Sequence, residues 1–326
     1  MNRKHFLKSS AIIAASSIFS RSNLLASSSG LIRVGLIGAN GMGWTNLNAL
    51  LKNKQVICTA LCDVDENVLQ RRAAELYDRG IHVATYINYK DLLADQAIDA
   101  VIIASPDHWH CLQMMDAVDA GKHIYIEKPI GNSIEECRLM LERAQRSSNI
   151  IQVGQWQRSQ QHFRDAIAYL HQGHLGKVRL VKAWSYVDWK KPISVRPDEA
   201  VPAHVHYDMW LGPAQKRPFN PNRFHFEFRW FWDYAGGLMT DWGVHMLDYA
   251  LLGMQVSTPL SVMSSGGNFA DPHTAAETPD TLTTVYEFPE FNIQWEHAVG
   301  LGQGPYNRTH GVAFIGNNGT LILNRE

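Results

Sequence analysis

The feature that most constrains this chain is a short apolar run closed by a glycine-rich turn. Leu31 to Ile37 has the composition of a buried parallel strand, and Gly38-Ala39-Asn40-Gly41-Met42-Gly43 follows it directly. Such a turn needs glycine where the backbone bends sharply and where it must approach a pyrophosphate. The helix opening there offers unpaired N–H groups to the phosphates. The glycines fall as G-x-x-G-x-G, with Asn40 at the usual middle glycine. Val56 to Leu61 reads as the next strand, ending at Cys62-Asp63, so Asp63 lies twenty residues after Gly43. That is the place of a carboxylate that binds the adenosine ribose hydroxyls of a dinucleotide. A carboxylate there repels a 2′-phosphate, so NAD is favoured over NADP.

The same rhythm continues. Thr45 to Leu51 reads as a helix, and Asp65 is placed to cap another that runs to about Tyr77. Ala100 to Ala104 is a strand, Asp107 to Ala120 a helix stopped by Gly121, and His123 to Ile126 a strand. Ser133-Ile134-Glu135-Glu136 is a capping box opening a helix to about Ser147, and Ile150 to Val153 is one more strand. Alternation of this kind implies an α/β fold, a Rossmann dinucleotide-binding domain over 31–155 with a parallel sheet between two helical layers. After Gln155 the texture changes. A helix over Gln161 to His171 precedes a half-buried strand from Val178 to Tyr186, and later apolar runs are separated by longer polar stretches. Residues 156–326 therefore read as an α+β substrate and oligomerisation domain with a large, mostly antiparallel open sheet. The chain stops just after a hairpin through Asn317-Asn318-Gly319, an ending that reads as a fragment truncated at its C-terminus.

At Glu127-Lys128-Pro129, after Gly121-Lys122-His123-Ile124-Tyr125-Ile126, a more specific motif appears. With the glycine turn, Asp63 and Ser105-Pro106-Asp107-His108-Trp109-His110, it resembles the glucose–fructose oxidoreductase, inositol dehydrogenase and rhizopine-catabolism (Gfo/Idh/MocA) family. The resemblance covers the chain from about Leu31 onward and points to an exported, tryptophan-rich subgroup. It implies that Lys128 lies beside the nicotinamide and the reacting hydroxyl. It implies that Ser105, Pro106, His108 and His110 pass near the nicotinamide ribose, with Glu127 in the cofactor site. It also implies a catalytic aspartate and histidine one helical turn apart, which Asp241-Trp242-Gly243-Val244-His245 fits. Positions i and i+4 share a helix face, so both side chains are expected in one cleft.

The chemistry gives its own reasons for these residue types. Oxidising an alcohol removes the hydroxyl proton as hydride leaves carbon. A histidine suits that transfer, a lysine steadies the developing alkoxide, and an aspartate orients the pair. His245 is thus expected as acid/base, Lys128 as electrostatic partner or co-base, and Asp241 as orienter. The second domain holds eight tryptophans, among them Trp156, Trp189, Trp210 and Trp242, whose rings suit the C–H faces of pyranoses. Gln157, Arg158, His206, Tyr207 and Trp242 are expected to meet substrate.

Composition narrows the rest. A net charge of −1 offers no basic field for nucleic acid. The four cysteines, Cys58, Cys62, Cys111 and Cys137, show no metal or disulfide spacing. The pairs His108/His110 and His204/His206 lack a third ligand at a persuasive spacing, so no metal is expected. Residues 1–30 read as an export signal. A basic start at Arg3, Lys4 and Lys8 leads into a run from Ala11 to Phe19 too short for a stable membrane span, then a small-residue stretch to Ala26. Arg3-Lys4-His5-Phe6-Leu7-Lys8 resembles a twin-arginine signal with Lys4 as the variant position, a general secretory signal being the alternative. A periplasmic destination follows from either. The reading is an NAD-dependent oxidoreductase acting on a CH–OH or keto carbon of a sugar, glycoside or polyol, as a homodimer or homotetramer. Two alternatives stand beside it: a glycosidase or glycoside 3-oxidase that recycles a tightly bound NAD, and a non-catalytic sugar- or cofactor-binding module.

Overall fold

The structure is a computed structural model and describes residues 30–325. The export signal expected over 1–30 lies almost wholly outside them. In chain order the first half contains β1 (Ile32–Ile37), α1 (Gly41–Leu50), β2 (Val56–Cys62), α2 (Glu66–Tyr77), β3 (Ala84–Tyr86), α3 (Tyr89–Ala94), β4 (Ala100–Ile103), α4 (Asp107–Asp119), β5 (His123–Ile126), α5 (Ile134–Gln145) and β6 (Ile151–Val153). The second half contains α6 (Gln161–His171), β7 (Val178–Val187), α7 (Tyr207–Leu211), α8 (Gly237–Asp241), α9 (Gly243–Met254), β8 (Ser261–Gly267), β9 (Thr281–Glu287), β10 (Asn292–Val299), β11 (His310–Gly316) and β12 (Gly319–Leu323).

The first sheet runs β3-β2-β1-β4-β5-β6 with every pair parallel. Register places the site. Ile37 pairs with Cys62 on one side and with Ile103 on the other, so the turns after β1, β2 and β4 open side by side. Strand order reverses at β1, the switch point where such sheets bind ligands. Two apolar layers fill the faces, one around Leu36, Leu47, Leu61 and Leu76, the other around Leu92, Ile103, Met114 and Ile126. The local signals act as read: Asp65 Oδ1 accepts from the N–H groups of Asn67 and Val68, and Ser133 with Glu136 forms both arms of the capping box.

The second sheet runs β12-β11-β7-β10-β9-β8, antiparallel except for the β7–β10 pair. α6 and α9 supply its core, where Phe163 stacks on Tyr249 at 4.1 Å and Trp295 and Phe314 are fully buried. A third, aromatic cluster built by residues 187–238 and β10 joins the halves, with Tyr207, Trp210, Phe219, Phe224, Trp230 and Tyr234 packed against Val64 of the first half.

Two features depart from expectation. β3 and α3 are too short, three and six residues, for their periodicity to show in sequence. The helix expected to carry Asp241 and His245 together is broken: α8 ends at Asp241, Trp242 lies between, and α9 begins at Gly243.

Candidate functional site

A cavity of about 310 Å3 runs along the C-terminal edge of the first sheet, walled on the far side by the second half. Gly38, Asn40, Gly41, Met42 and Asp63 line one end, Ser105, Pro106 and His110 the middle, and Glu127, Lys128 and Asp241 the other end. At the first end the backbone is shaped for close approach. Gly38 has φ 85 and a side chain there would strike the Ala104 carbonyl, while a Cβ on Gly43 would meet the Gly38 carbonyl oxygen. Gly43 is therefore buried behind the turn, holding helix to strand, and does not line the cavity. Gly41 (φ 45) differs: its missing side chain would enter open space. Asn40 gives α1 no side-chain cap, which leaves that helix N-terminus open to the cavity. Asp63 closes this end. Its Oδ2 accepts from the Ala39 N–H at 2.8 Å and its Oδ1 from the Asp65 N–H at 3.0 Å. Burial pushes its carboxyl above the usual range against the pull of those two donors. The glycine cradle, the open helix end and the carboxylate at the tip of β2 fit a dinucleotide.

That second end is a cluster of charge. Lys128 Nζ donates to Asp241 Oδ1 at 2.5 Å and to the Asp241 carbonyl at 3.0 Å, and Arg229 Nη1 donates to Asp241 Oδ2 at 2.6 Å. Burial alone would raise the Asp241 carboxyl; Lys128 and Arg229 outweigh it and hold the group well below the usual carboxylate range. Asp107, in the first turn of α4, also lines the cavity. Burial pushes its carboxyl up to about 7, the charge of Asp241 adds to this, and Lys128 and Arg229 oppose it. The cavity thus holds an ionised, doubly paired carboxylate and a second carboxyl that changes protonation near neutrality. Neither Asp107 nor Arg229 was read from the sequence. Asp107 stood inside the Ser105–His110 motif, so a signal was there; Arg229 lies in a 3-10 turn with no local pattern.

The remaining expected residues are placed as follows. Glu127 Oε1 accepts from Asn46 at 2.7 Å. His110 sits between the carbonyls of Pro129 (2.7 Å) and Ser105 (2.8 Å), tying the two loops that flank Lys128. Burial lowers its imidazole to about 4, so the neutral ring donates to one of them. His108 does not line the cavity: its Nε2 lies 3.0 Å from the Trp210 carbonyl and its ring packs on Trp210 and Tyr234, joining the halves. His245 is buried, near enough to Lys128 and Asp241 to feel both charges, and is not among the residues that line the cavity. Burial, then Lys128 and Arg325, lower its ring to about 3, and its Nδ1 has no hydrogen-bond partner among the described residues.

None of the five residues expected to meet substrate lines this cavity. Gln157 is buried, 1% exposed. Arg158 is taken by Asp248 through two bonds of 2.5 and 2.7 Å. His206 lies 2.8 Å from Glu66 Oε1, and Tyr207 is buried with its hydroxyl on the Pro218 carbonyl. Trp242 packs against the Arg325 guanidinium at 4.2 Å and against His310. Of the tryptophans, Trp109 and Trp210 reach the cavity, while Trp184, Trp230 and Trp295 are core. The His108/His110 pair stands on a helix, and three of its four ring nitrogens are spent on carbonyls, His108 Nδ1 having no hydrogen-bond partner among the described residues. Among the described residues no group of three or more potential ligands is placed to hold a metal ion, and no helix is long and apolar enough to cross a membrane.

Comparison with known proteins agrees with this architecture. Residues 32–155 match the model of the Gfo/Idh/MocA oxidoreductase family's NAD-binding Rossmann fold, and residues 170–286 match the family's C-terminal alpha/beta domain. Among curated proteins, a glycosyl hydrolase family 109 protein of Shewanella putrefaciens is 26% identical, over 45% of this chain and 38% of its own. An alpha-N-acetylgalactosaminidase of Shewanella oneidensis is 25% identical over the same shares. The chain thus spans about two fifths of the length of the curated relatives it matches. Among solved structures, myo-inositol 2-dehydrogenase from Lactobacillus plantarum superposes with TM-score 0.69 at 21% identity, covering 91% of this chain and 77% of that one. The WlbA dehydrogenase of Bordetella pertussis, in complex with NADH and UDP-GlcNAcA, gives 0.65 at 20%, covering 90% and 73%. At these identities the superpositions speak for the fold. With both of its halves matched by the models of one family, the chain belongs to the NAD-binding Gfo/Idh/MocA oxidoreductases.

Proposed function

We propose that this protein transfers a hydride between NAD and a CH–OH or keto carbon of a sugar, glycoside or polyol. The observation that carries the reading is the charge cluster of Asp107, Lys128, Arg229 and Asp241 at the end of the crevice opposite Asp63. When bound, the nicotinamide supplies the hydride acceptor or donor. The chain supplies the rest. The Lys128 ammonium, fixed by Asp241, stabilises the alkoxide that develops as the hydroxyl proton departs. Lys128 and Arg229 together keep Asp241 ionised, and Asp241 in turn holds Lys128 in place. Asp107, with its carboxyl near neutrality, accepts the proton. His110 positions the loops on both sides of Lys128.

The test is nicotinamide absorbance in the presence of polyols, free sugars and glycosides, with the parent protein and Lys128→Met. The variant is expected to bind NAD like the parent and to lose at least about 100-fold in hydride transfer. Unchanged turnover would remove Lys128 from the site. A second reading, redox-neutral cleavage of glycosides, is favoured by the names of the curated relatives, and release of aglycone without accumulation of NADH would select it. The leader supports an exported, periplasmic protein, checked by sequencing the mature N-terminus from periplasmic extracts. The exposed Leu260, Val262 and Met263 at the edge of the second sheet support a homo-oligomer, checked by light scattering.

A further inference from the structure

A carbonyl inside an α-helix is ordinarily taken by the N–H four residues on. His245 N–H instead donates to the Trp242 carbonyl at 3.0 Å, three residues back. The Asp241 carbonyl, at the end of α8, is thereby left to accept from Lys128 Nζ at 3.0 Å. The same ammonium donates to Asp241 Oδ1. Asp241 therefore takes two of the three N–H groups of Lys128, one through its side chain and one through its backbone. An ammonium held by a carboxylate alone can spin about its C–N bond. A second acceptor stops that rotation, and the third N–H then has one direction.

Trp242 stands in the break between α8 and α9 and packs against both apolar clusters of the second half. Its indole is braced by side chains distant in sequence. The Arg325 guanidinium, two residues past β12, lies 4.2 Å from the centre of the Trp242 ring and 5.2 Å from that of Trp156. His310, at the start of β11, meets the Trp242 ring at 5.0 Å. A cation beside an indole is attracted by the negative face of the ring, and more strongly where water is partly excluded. The same charge reaches the site. It helps to lower the ring of His245, and Asp241 stabilises it in turn. Neither Trp242 nor Arg325 lines the cavity, so any effect they have on the chemistry runs through Asp241.

We propose that Arg325 and Trp242 are positioning residues for Lys128. The guanidinium clamps the indole, the indole fixes the break, and the break presents the Asp241 carbonyl to the ammonium. The remaining N–H of Lys128 is thereby aimed at the reacting oxygen, where alkoxide charge develops. The proposal rests on the role given above to Lys128 in hydride transfer.

The experiment compares the full chain with Arg325→Lys, which keeps a cation beside both rings, and Arg325→Met, which keeps an unbranched stem without charge. Acylation of Lys128 by a small amine reagent is timed by peptide mass spectrometry, with the exposed Lys52 and Lys54 as internal standards. In Arg325→Met the rate at Lys128, relative to these standards, is expected to rise at least about threefold. Its kcat is expected to fall at least about tenfold at unchanged NADH affinity. Arg325→Lys is expected to recover at least about half of the parent kcat and to acylate more slowly than Arg325→Met. An Arg325→Met variant that acylates at the parent rate, one that acylates faster yet keeps the parent kcat, or an Arg325→Lys variant as impaired as Arg325→Met, would each overturn the proposal. Acylation needs neither nucleotide nor substrate. A parent chain without hydride transfer would thus count against the function proposed above, while the acylation rates would still decide whether Arg325 holds Lys128.

Discussion

At the scale of single residues, the site turns on two carboxyls whose surroundings divide their roles. Asp241 has a cation on each oxygen and stays ionised; Asp107 has burial against it and ionises near 7. An unfolded chain ionises an aspartate near 4, so between about 4 and 7 the folded protein holds a proton that the unfolded one has lost. A general base must be ionised to act, so alcohol oxidation is expected to rise with pH through about 7. Asp107→Asn should remove that limb and lower the rate by about 100-fold or more. His245→Ala should keep the limb, because that ring is neutral at every pH above about 3 and does not line the cavity. A pH profile of kcat/KM on the two variants decides it; loss of the limb in His245→Ala alone would give the proton to the histidine.

At the scale of elements, the most legible parts were those with strictly local causes. The glycine turn, the Asp65 cap and the capping box at Ser133 depend on residues within a few positions of one another, and all three were readable. The parallel pairing of the first sheet followed from the alternation of strands and helices. What failed to show depends on contacts distant in sequence. His225 is joined to Asp65 across 160 residues, and Lys128 to Asp241 across 113. The i, i+4 spacing of Asp241 and His245 suggested one helix face, although Gly243, a poor helix former, stands directly after the break at Trp242. The polar residues assigned to substrate had the right chemistry, but Arg158 and His206 were already paired by Asp248 and Glu66. The glycine turn also separates two functions that sequence merges. Gly43 serves packing, and a side chain there collides with backbone; Gly41 faces open space. Gly41→Ala is therefore expected to fold, at a cost of about 1 kcal/mol for its positive φ, while weakening NAD binding at least about tenfold. Thermal melting and an NADH fluorescence titration separate the two effects; undiminished affinity would mean that the nucleotide does not approach the turn.

At the scale of the whole molecule, buried histidines decide the response to acid. Burial holds His108, His110 and His297 neutral down to about 4, and His245 to about 3. In the unfolded chain a histidine takes up its proton near 6.5. Between about 6.5 and 4 the unfolded state therefore binds up to four protons that the folded state refuses. Each makes stability fall with falling pH, by up to about 1.4 kcal/mol per unit. Asp107 acts in the opposite sense across that whole window, since burial raises it to about 7 and the folded state binds its proton first; burial raises Asp63 as well, in the same direction. Four histidines outnumber these carboxyls and leave a net loss of a few kcal/mol per pH unit, about 3 to 4 at its steepest. Urea unfolding at pH 7, 6 and 5 should show the midpoint dropping at each step, and His297→Gln, remote from the cavity, should make the drop shallower. His108 gives the same titration a functional edge: its ring is buried against Trp210 and Tyr234 where the halves meet, and burial there disfavours its charged form although the Trp210 carbonyl would accept from it. A ligand that binds only the folded state adds stability in proportion to the logarithm of its saturation. NAD should accordingly shift the acid transition to lower pH. A midpoint that stays level from pH 7 to 5 would mean that these rings do titrate in the folded protein, and that the halves are less tightly closed than their contacts imply.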